Sequence, residues 1–486
     1  MDDHWQPMSE FPAFWLLRLF RFPVSSTNQR SPCEKVHGKC GCFFMKSILI
    51  FYFVLIAVWF VFYSMSSFSW EIKMYNDHQE DGSEKPSNLI VRILDEVPWV
   101  VLIARNLVAL ILFFAHHGRV VEATERLRHL LEKFGSDDRS QALLPIVQYS
   151  LRMFGISVLV VCLNFIMVLI YLNKTDFSDI STDWDFDPAP FSLKQWAILI
   201  LMVCFTLLPF LMTQAVMATV TGLGKGAQIL LVNLNKKLKL LANDKTLNGY
   251  RHEEMVVWMV EGTKTTTVVE LESIFVIRAL HFEACHFVEE LTEKFSKIFL
   301  TNLAGDFAAA VGFVGLLIGF IPAPDDDALF DHVYHATATL LWMGFYLTAQ
   351  YWPLVQLHEE AERTHHFVQV LSFVPEVTPD EESERELIHF LLATKSSHVG
   401  VTAGKLFHFS RHLCVTMITL LCSYAILVYE LLHREASSSG GHGGGQGGDV
   451  AGANKSSHSQ NGALNVARVL RKLEDLVTGN YSMKAH

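Results

Sequence analysis

The chain has 486 residues, of which 51% are hydrophobic and 18% are charged, and its formal net charge is −11 at pH 7. A soluble domain usually has about a quarter of its residues charged. Here the charges cluster between long uncharged blocks, which excludes a string of ordinary soluble domains. The acidic residues are spread over several loops, so the net charge identifies no partner. The composition predicts an all-α, polytopic membrane protein.

The N-terminal segment, residues 1–46, is predicted to be cytoplasmic. Its apolar patch "FPAFWLLRLFRF" is short and is interrupted by Arg18 and Arg21, so it does not resemble a cleavable signal peptide. Two interpretations stay open for it. One is an amphipathic helix on the membrane surface, and the other is a packed cytoplasmic helix.

Seven apolar blocks are long enough to cross a membrane, since a span needs roughly twenty apolar residues. Lipid offers no partner to an unpaired backbone group, so each block is predicted to be a helix. The blocks are residues 47–67, 97–115, 153–172, 196–220, 300–321, 334–356 and 412–432.

The orientation follows from Lys and Arg, which are concentrated before the first block and in the second, fourth and sixth connections. Because basic residues stay on the cytoplasmic side, we predict a cytoplasmic N-terminus and, with seven spans, an extracellular C-terminus. Glycosylation sequons agree with this orientation, because all of them fall on the predicted outside. They begin at Asn173, Asn454 and Asn480.

The predicted transmembrane domain covers residues 47–432, and residues 221–299 and 357–411 are predicted to form a cytoplasmic helical anchor. The segment "RVVEATERLRHLLEKF" is expected to continue the second span inward. The stretch "GLGKG" lacks the spacing of a phosphate loop and is expected to break a helix where it leaves the membrane. Residues 433–486 form a Gly/Ser-rich tail that cannot bury a core, so we predict that it is extracellular and disordered.

Sequence motifs for catalysis are missing. No P-loop, GxSxG, HExxH or dinucleotide-binding motif occurs in its proper context, so we predict that the protein is not an enzyme and needs no cofactor. The stretches "HEEAERTHH" and "CEKVHGKCGC" contain metal-binding residue types, but the cysteine spacing matches no zinc module. We interpret them as a solvated helix face and reduced cytoplasmic cysteines, and predict no metal.

Three ionisable residues lie inside the predicted spans, where burying a charge is costly. Arg105 is near the middle of the second span, Asp306 is in the inner half of the fifth, and Glu430 is near the outer end of the seventh. Arg105 and Asp306 are candidates for a buried ion pair. Such a pair either fixes the register of the helices or contacts a ligand, and both interpretations stay open.

Aromatic residues are frequent in the outer halves of the spans, where an interfacial belt and a ligand pocket are alternative explanations. Trp342 lies deep in the sixth span, and Trp99 lies on the outer side of Arg105. Our candidates for ligand binding are Trp99, Arg105, Trp342 and Tyr346.

The last predicted span, residues 412–432, carries a polar stripe. Ser423 and Glu430 are seven residues apart, so they lie on nearly the same face of a helix. Thr416 extends this face towards the start of the helix, with Thr419 beside it. The stripe predicts that this face meets either water or another copy of the same helix.

The segment "GVTAGKLFHFSRHLCVTMITLLCSYAILVYEL" resembles the signature region of arthropod gustatory receptors. That family has a Gly and a Phe before the last helix, then Thr-Tyr, five apolar residues and Gln-Phe. The positions that carry the resemblance are Gly404, Phe407, Ser423, Tyr424, Glu430 and Leu431. Ser423 and Leu431 stand where Thr and Phe are usual, and Glu430 replaces Gln and adds a charge.

The resemblance implies a receptor for small-molecule tastants in the plasma membrane of chemosensory neurons. It implies a ligand-gated, non-selective cation channel built as a homo- or heterotetramer. Four copies of the last helix would line its pore, and the ligand would bind in the outer half of the bundle. An odorant-type receptor of the same superfamily is an alternative. A G-protein-coupled receptor is opposed by the predicted orientation, and a transporter by the lack of repeated halves.

Overall fold

The structure is a computed structural model that describes residues 11–19, 47–66, 69, 87–134, 139–175, 200–247, 274–319, 343–372, 381–396 and 399–438. These residues are mostly helical, and the β-structure among them is one two-stranded antiparallel hairpin. The predicted all-α class is therefore confirmed.

The elements follow one another in a simple order. The described helices are α1 (Pro12–Leu19), α2 (Ser47–Ser66), α3 (Ser87–Ala115), α4 (His117–Lys133), α5 (Arg139–Thr175), α6 (Leu208–Leu247), α7 (Ile274–Gly319), α8 (Trp352–Ser372), α9 (Glu381–Ser396) and α10 (Arg411–Ser438). The hairpin strands β1 (Thr402–Ala403) and β2 (Phe407–His408) lie between α9 and α10. Two π-helical segments, Val203–Leu207 and Met343–Ala349, precede α6 and α8.

Six helical segments among the described residues are long and apolar enough to cross a membrane. They are Ser47–Ser66, Val97–Ala115, Leu143–Leu163, Ile200–Leu241, Ile274–Gly315 and Arg411–Glu430. Each overlaps one of the seven predicted blocks. The block without a counterpart is the sixth, residues 334–356, of which the structure describes only the part from residue 343. The helical, multi-span character is confirmed.

Two of these helices bury little of their apolar surface within one chain. Only 11% of the most apolar part of α2 and of α10 is buried, whereas 61% of the corresponding part of α7 is buried. Apolar surface left exposed in this way must face lipid or another protein chain, because water does not solvate it favourably.

The residues divide into two compact units. The first contains residues 1–59, 105–303 and 349–410, and the second contains residues 60–104, 304–348 and 411–486. In the first unit α1, α4, α5 and α8 all pack against α6. One face of α6 carries leucines at helical spacing, and all of them are buried: Leu230, Leu234, Leu238 and Leu241.

Helix α1 packs against α6 and α5. Phe11, Phe14 and Leu17 are fully buried, and the backbone N–H of Ala13 donates a hydrogen bond to the Thr219 hydroxyl at 3.0 Å. Of the two interpretations of the N-terminal patch, the structure therefore supports the packed helix. Trp15 on its outer side is 45% exposed.

Helix α4 is separate from the second span. The segment that contains it was expected to continue that span, but α3 ends at Ala115 and α4 begins at His117. The N–H of His116 donates to the carbonyl of Phe113 at 3.1 Å, and the N–H of Arg119 donates to the carbonyl of His116 at 2.9 Å. The chain therefore turns at His116.

The expectation that "GLGKG" breaks a helix is wrong, since α6 runs through it without interruption. Its three glycines, Gly222, Gly224 and Gly226, allow neighbouring helices to approach closely. A β-carbon at these positions would lie 1.9, 2.3 and 2.4 Å from side-chain atoms of α5, α8 and α4, respectively. Glycine fits here because three different helices pack onto one short stretch of α6, and a larger residue has no room.

We expect Gly222→Ala to lower the melting temperature of the purified protein, because its β-carbon would lie 1.9 Å from Ser150 Oγ and overpacking costs about 1–3 kcal/mol. Adding Ser150→Ala removes that oxygen and should restore part of the loss. Gly155→Ala is the matched control, since nothing lies within 4 Å of its added β-carbon; alanine should leave stability unchanged or raise it. Equal melting of all three variants and the wild type would show that the close contact is not a constraint.

Candidate functional site

Helix α10 presents the predicted polar stripe on its exposed side. Thr416, Thr419, Ser423 and Glu430 are all exposed within the chain. Met417 and Leu421 lie on the opposite side of the helix and are 8% and 1% exposed. The structure therefore leaves this face free to meet water or a further protein chain. Leu420 and Leu427 lie beside the stripe and are also exposed, at 54% and 56%.

The hydroxyls of the stripe are partly satisfied by the helix itself. Thr416 Oγ1 donates to the carbonyl of His412 and Ser423 Oγ donates to the carbonyl of Thr419, both at 2.8 Å. Serine and threonine commonly bond back in this way inside helices. Each hydroxyl oxygen keeps acceptor capacity towards the exposed side, so the stripe can be wetted without leaving a donor unpaired.

The hairpin before α10 is fixed to the rest of the first unit through Gly404. This residue has a φ of 63°, and a β-carbon on it would lie 2.5 Å from Leu300 Cδ2. Its N–H donates to the carbonyl of Ser296 at 2.8 Å. The left-handed backbone favours glycine at this position, and the close approach of Leu300 leaves no room for a β-carbon.

The aromatic residue that anchors the hairpin is Phe409, which is 1% exposed. Its ring stacks on Tyr351 with centroids 5.0 Å apart and 15° between the planes, and it meets Phe299 edge-on at 5.4 Å. Phe407, which carries part of the resemblance, is 47% exposed in β2. Sequence reasoning missed Phe409. Its position just before the start of α10 could have marked it as a candidate anchor.

Arg105 is buried among polar and aromatic groups of the first unit. It is 3% exposed, its Nε donates to Asn302 Oδ1 at 2.9 Å, and its guanidinium carbon lies 5.6 Å from the centre of the Phe210 ring. Asn302 in turn donates to the carbonyl of Ile298 at 2.9 Å. A hydrogen bond to an amide and a cation–π contact stabilise the guanidinium away from water.

Two further polar residues in the spans were missed by sequence reasoning. Gln214 and Asn106 are each 1% exposed. The Nε2 and Oε1 of Gln214 and the Oδ1 of Asn106 lack a hydrogen-bond partner among the described residues. They could have been recognised from the sequence, because each is an amide side chain in an otherwise apolar span, where an unsatisfied amide is costly.

Asp306 is fully buried and lies one helical turn after Asn302, the residue that contacts Arg105. Arg105 belongs to the first compact unit and Asp306 to the second. Their ion pair stays a prediction.

The other ligand-binding candidates belong to the second unit. Trp99 meets Phe313 edge-on at 6.3 Å, where α3 approaches α7 so closely that a β-carbon on Gly312 would lie 2.4 Å from Pro98 Cγ. Tyr346 is fully buried in a π-helical segment, and its ring lies 4.9 Å from that of Phe345. π-Helical turns are frequent at functional sites. Trp342 lies outside the described residues.

Comparison with known proteins gives the family. A family model described as 7tm chemosensory receptor matches residues 13–428, which is most of the chain. The chain belongs to the 7tm chemosensory receptor family. No curated protein shows a significant sequence match to this chemosensory receptor.

Solved structures share the receptor's fold. The olfactory receptor OR5 of the insect Machilis hrabei is 10% identical, and the match covers 88% of this chain and 100% of that chain with a TM-score of 0.52. The same receptor in complex with eugenol matches with identical coverage and identity and a TM-score of 0.50. At this identity the likeness shows the fold alone.

The remaining positions of the chemosensory receptor's signature lie on α10. Tyr424 is half-buried. It follows Met417 by seven residues, so it lies on the same side of the helix as the buried Met417 and Leu421. Glu430 is exposed, and Leu431 follows within the same helix. The structure thus places the signature partly in the hairpin and partly on the helix after it.

Two of the three histidines of "HEEAERTHH" have separate hydrogen-bond partners. His358 Nδ1 lies 3.1 Å from the carbonyl of Val399, and His365 Nδ1 lies 3.0 Å from the Thr394 hydroxyl. In the described ranges, no group of three or more His, Cys, Asp or Glu is arranged to hold a metal ion. The cysteine cluster of residues 33–42 lies outside those ranges.

Most of the receptor's glycosylation sequons lie outside the residues that the structure describes. Asn173 stands in the last turn of α5, while Asn454 and Asn480 lie outside the described residues. Their glycosylation stays a prediction. The predicted bounds and locations of the N-terminal segment, the transmembrane domain with its anchor, and the tail stay predictions as well.

Proposed function

We propose that this receptor is a ligand-gated, non-selective cation channel of the gustatory type whose pore is lined by α10. The observation that carries the proposal is the exposed stripe of Thr416, Thr419, Ser423 and Glu430, on a helix that buries Met417 and Leu421 on its other side. Hydroxyls tolerate water in a narrow passage, and a ring of carboxylates attracts cations and repels anions.

One helix cannot enclose a pore, so the proposal requires several copies of the chain. The exposure of α10 is consistent with this, because its span buries only 11% of its residues within one chain. We propose a tetramer, either of this chain alone or with related receptors, in which four copies of α10 surround the axis.

The proposed ligand is a small tastant that binds in the outer half of the bundle. Trp99 and Tyr346 are the aromatic residues that we propose as its contacts, with Arg105 and Trp342 as further candidates. An odorant-type receptor is the second candidate, because the similar solved structure is an olfactory receptor that binds eugenol.

We place the receptor in the plasma membrane of chemosensory neurons, with its N-terminus in the cytoplasm. An epitope inserted after residue 440 should be labelled by antibody on intact cells, and an epitope at residue 5 should be labelled only after permeabilisation. The basic residues on one side of the spans are the reason. The opposite labelling pattern would place Glu430 at the inner end of the pore and contradict the proposed orientation.

A further inference from the structure

A ladder of ion pairs joins α4 to α7 in the first unit. Its members are Lys133–Glu283, Arg126–Glu290 and Lys294–Glu122, the last at 2.7 Å. Along the ladder the residue numbers on α4 decrease while those on α7 increase by the same amount. From Lys133–Glu283 to Arg126–Glu290, for example, both numbers change by seven. This is the register of two antiparallel helices that lie side by side along the whole ladder.

The next position of the ladder has two positive charges. Arg119 lies three residues beyond Glu122 on α4, and Lys297 lies three residues beyond Lys294 on α7, so the register places them opposite each other. Both are exposed. Within the described ranges neither forms an ion pair with a carboxylate, although Glu293 lies one turn before Lys297 on the same helix.

His116, at the turn between α3 and α4, lies beside this like-charged position. Partial burial, together with the positive charges of Arg119 and Lys297, lowers the pKa of His116. Both cations are therefore close enough to act on the same group, which agrees with the register of the ladder. Two uncompensated cations side by side repel each other unless an anion binds between them.

The like-charged position lies at a membrane boundary. The span in α3 ends at Ala115, directly before His116. In α7 the candidate segment Ile274–Gly315 includes Lys297, but the apolar block predicted from the sequence begins at residue 300, three residues after it. In the proposed orientation this is the cytoplasmic surface. That leaflet carries the anionic phospholipids, which attract basic residues next to spans.

We propose that Arg119 and Lys297 bind the phosphate headgroup of an anionic lipid of the cytoplasmic leaflet. The phosphate oxygens accept hydrogen bonds from the guanidinium of α4 and the ammonium of α7 at once. The lipid thereby supplies the negative charge that completes the ladder, and it links the two helices where they enter the membrane. This inference rests on the proposed orientation and not on channel gating.

The test is the Lys297→Glu variant, because it places a carboxylate opposite Arg119 and so replaces the repulsion between two cations with an ion pair. Full-length protein is purified in detergent, and binding of phosphatidylinositol 4,5-bisphosphate is measured by native mass spectrometry. We expect lipid affinity to fall about tenfold or more, while the melting temperature without lipid stays the same or rises. The wild type should melt at a higher temperature when the lipid is added.

Lys236→Glu is the matched control, since Lys236 is exposed on α6 and the charge change is the same; its lipid affinity should stay near that of the wild type. An Arg119→Gln, Lys297→Gln double variant should lose binding as Lys297→Glu does. Unchanged affinity in both variants, or an equal loss in Lys236→Glu, would overturn the proposal. Displacement of the lipid by equimolar soluble inositol trisphosphate would identify a site for free phosphates and overturn the lipid assignment.

Discussion

Replacing Glu430 by lysine is expected to suppress the inward cation current of the receptor or to move its reversal potential towards that of anions. Glu430 is exposed on the same side of α10 as Thr416 and Ser423. Around a tetrameric pore, four lysines would therefore put four positive charges where cations enter, and a basic ring selects for anions. The measurement is whole-cell current with ion substitution, using an agonist found by screening sugars, amino acids and alkaloids.

Glu430→Gln should have a milder effect, because it restores the residue usual in gustatory receptors and removes only the charge. We expect a channel that still opens, with smaller inward current and weaker block by divalent cations. Glu384→Lys is the control, since Glu384 is exposed on α9 and undergoes the same change of charge away from the pore. If the Glu430 variants share conductance, block and reversal potential with the wild type, Glu430 does not face the pore.

The second large effect is expected for Arg105→Ala, which should reduce surface expression and lower the melting temperature of the purified receptor. The substitution removes the donor to Asn302 Oδ1 and the cation over the Phe210 ring. A buried acceptor left unsatisfied costs about 1–3 kcal/mol, and the lost contact with the ring adds to that. Surface biotinylation and thermal unfolding of detergent-purified protein measure both consequences.

Arg152→Ala is the matched control, because Arg152 is exposed on α5 and should tolerate the change. In an Asn302→Leu background the acceptor is absent, so Arg105→Ala should cost less than it does in the wild type. If the losses of melting temperature from Arg105→Ala and Asn302→Leu simply add in the double variant, the two side chains are not coupled through their hydrogen bond. Wild-type expression and melting of Arg105→Ala would show that the buried guanidinium does not support the fold.

The spans could be predicted from the sequence because hydrophobicity depends only on which residues are present. The same holds for the stripe on α10, where Thr416 and Ser423 lie on one face through helical spacing alone. That Met417 and Leu421 form the buried face of this helix also agrees with its apolar pattern. Local composition and periodicity are sufficient for such features.

Features that depend on residues distant in the chain could not be predicted. Glycine disfavours an isolated helix, so "GLGKG" was interpreted as a break. In the folded chain Gly222 faces Ser150 of another helix so closely that a larger residue has no room. The role of Phe409 depends in the same way on its stack with Tyr351. Arg105 was recognised as buried, but its partner Asn302 lies almost two hundred residues away and carries no charge to mark it.

The most direct test of the proposed pore is a density map of purified full-length receptor in lipid nanodiscs, determined by single-particle electron microscopy. This measurement needs no ligand. We predict four copies of α10 around a central axis, with Thr416, Thr419, Ser423 and Glu430 directed at that axis. A particle with a single chain, or an assembly in which α10 faces lipid, would contradict the proposal that this helix lines a pore.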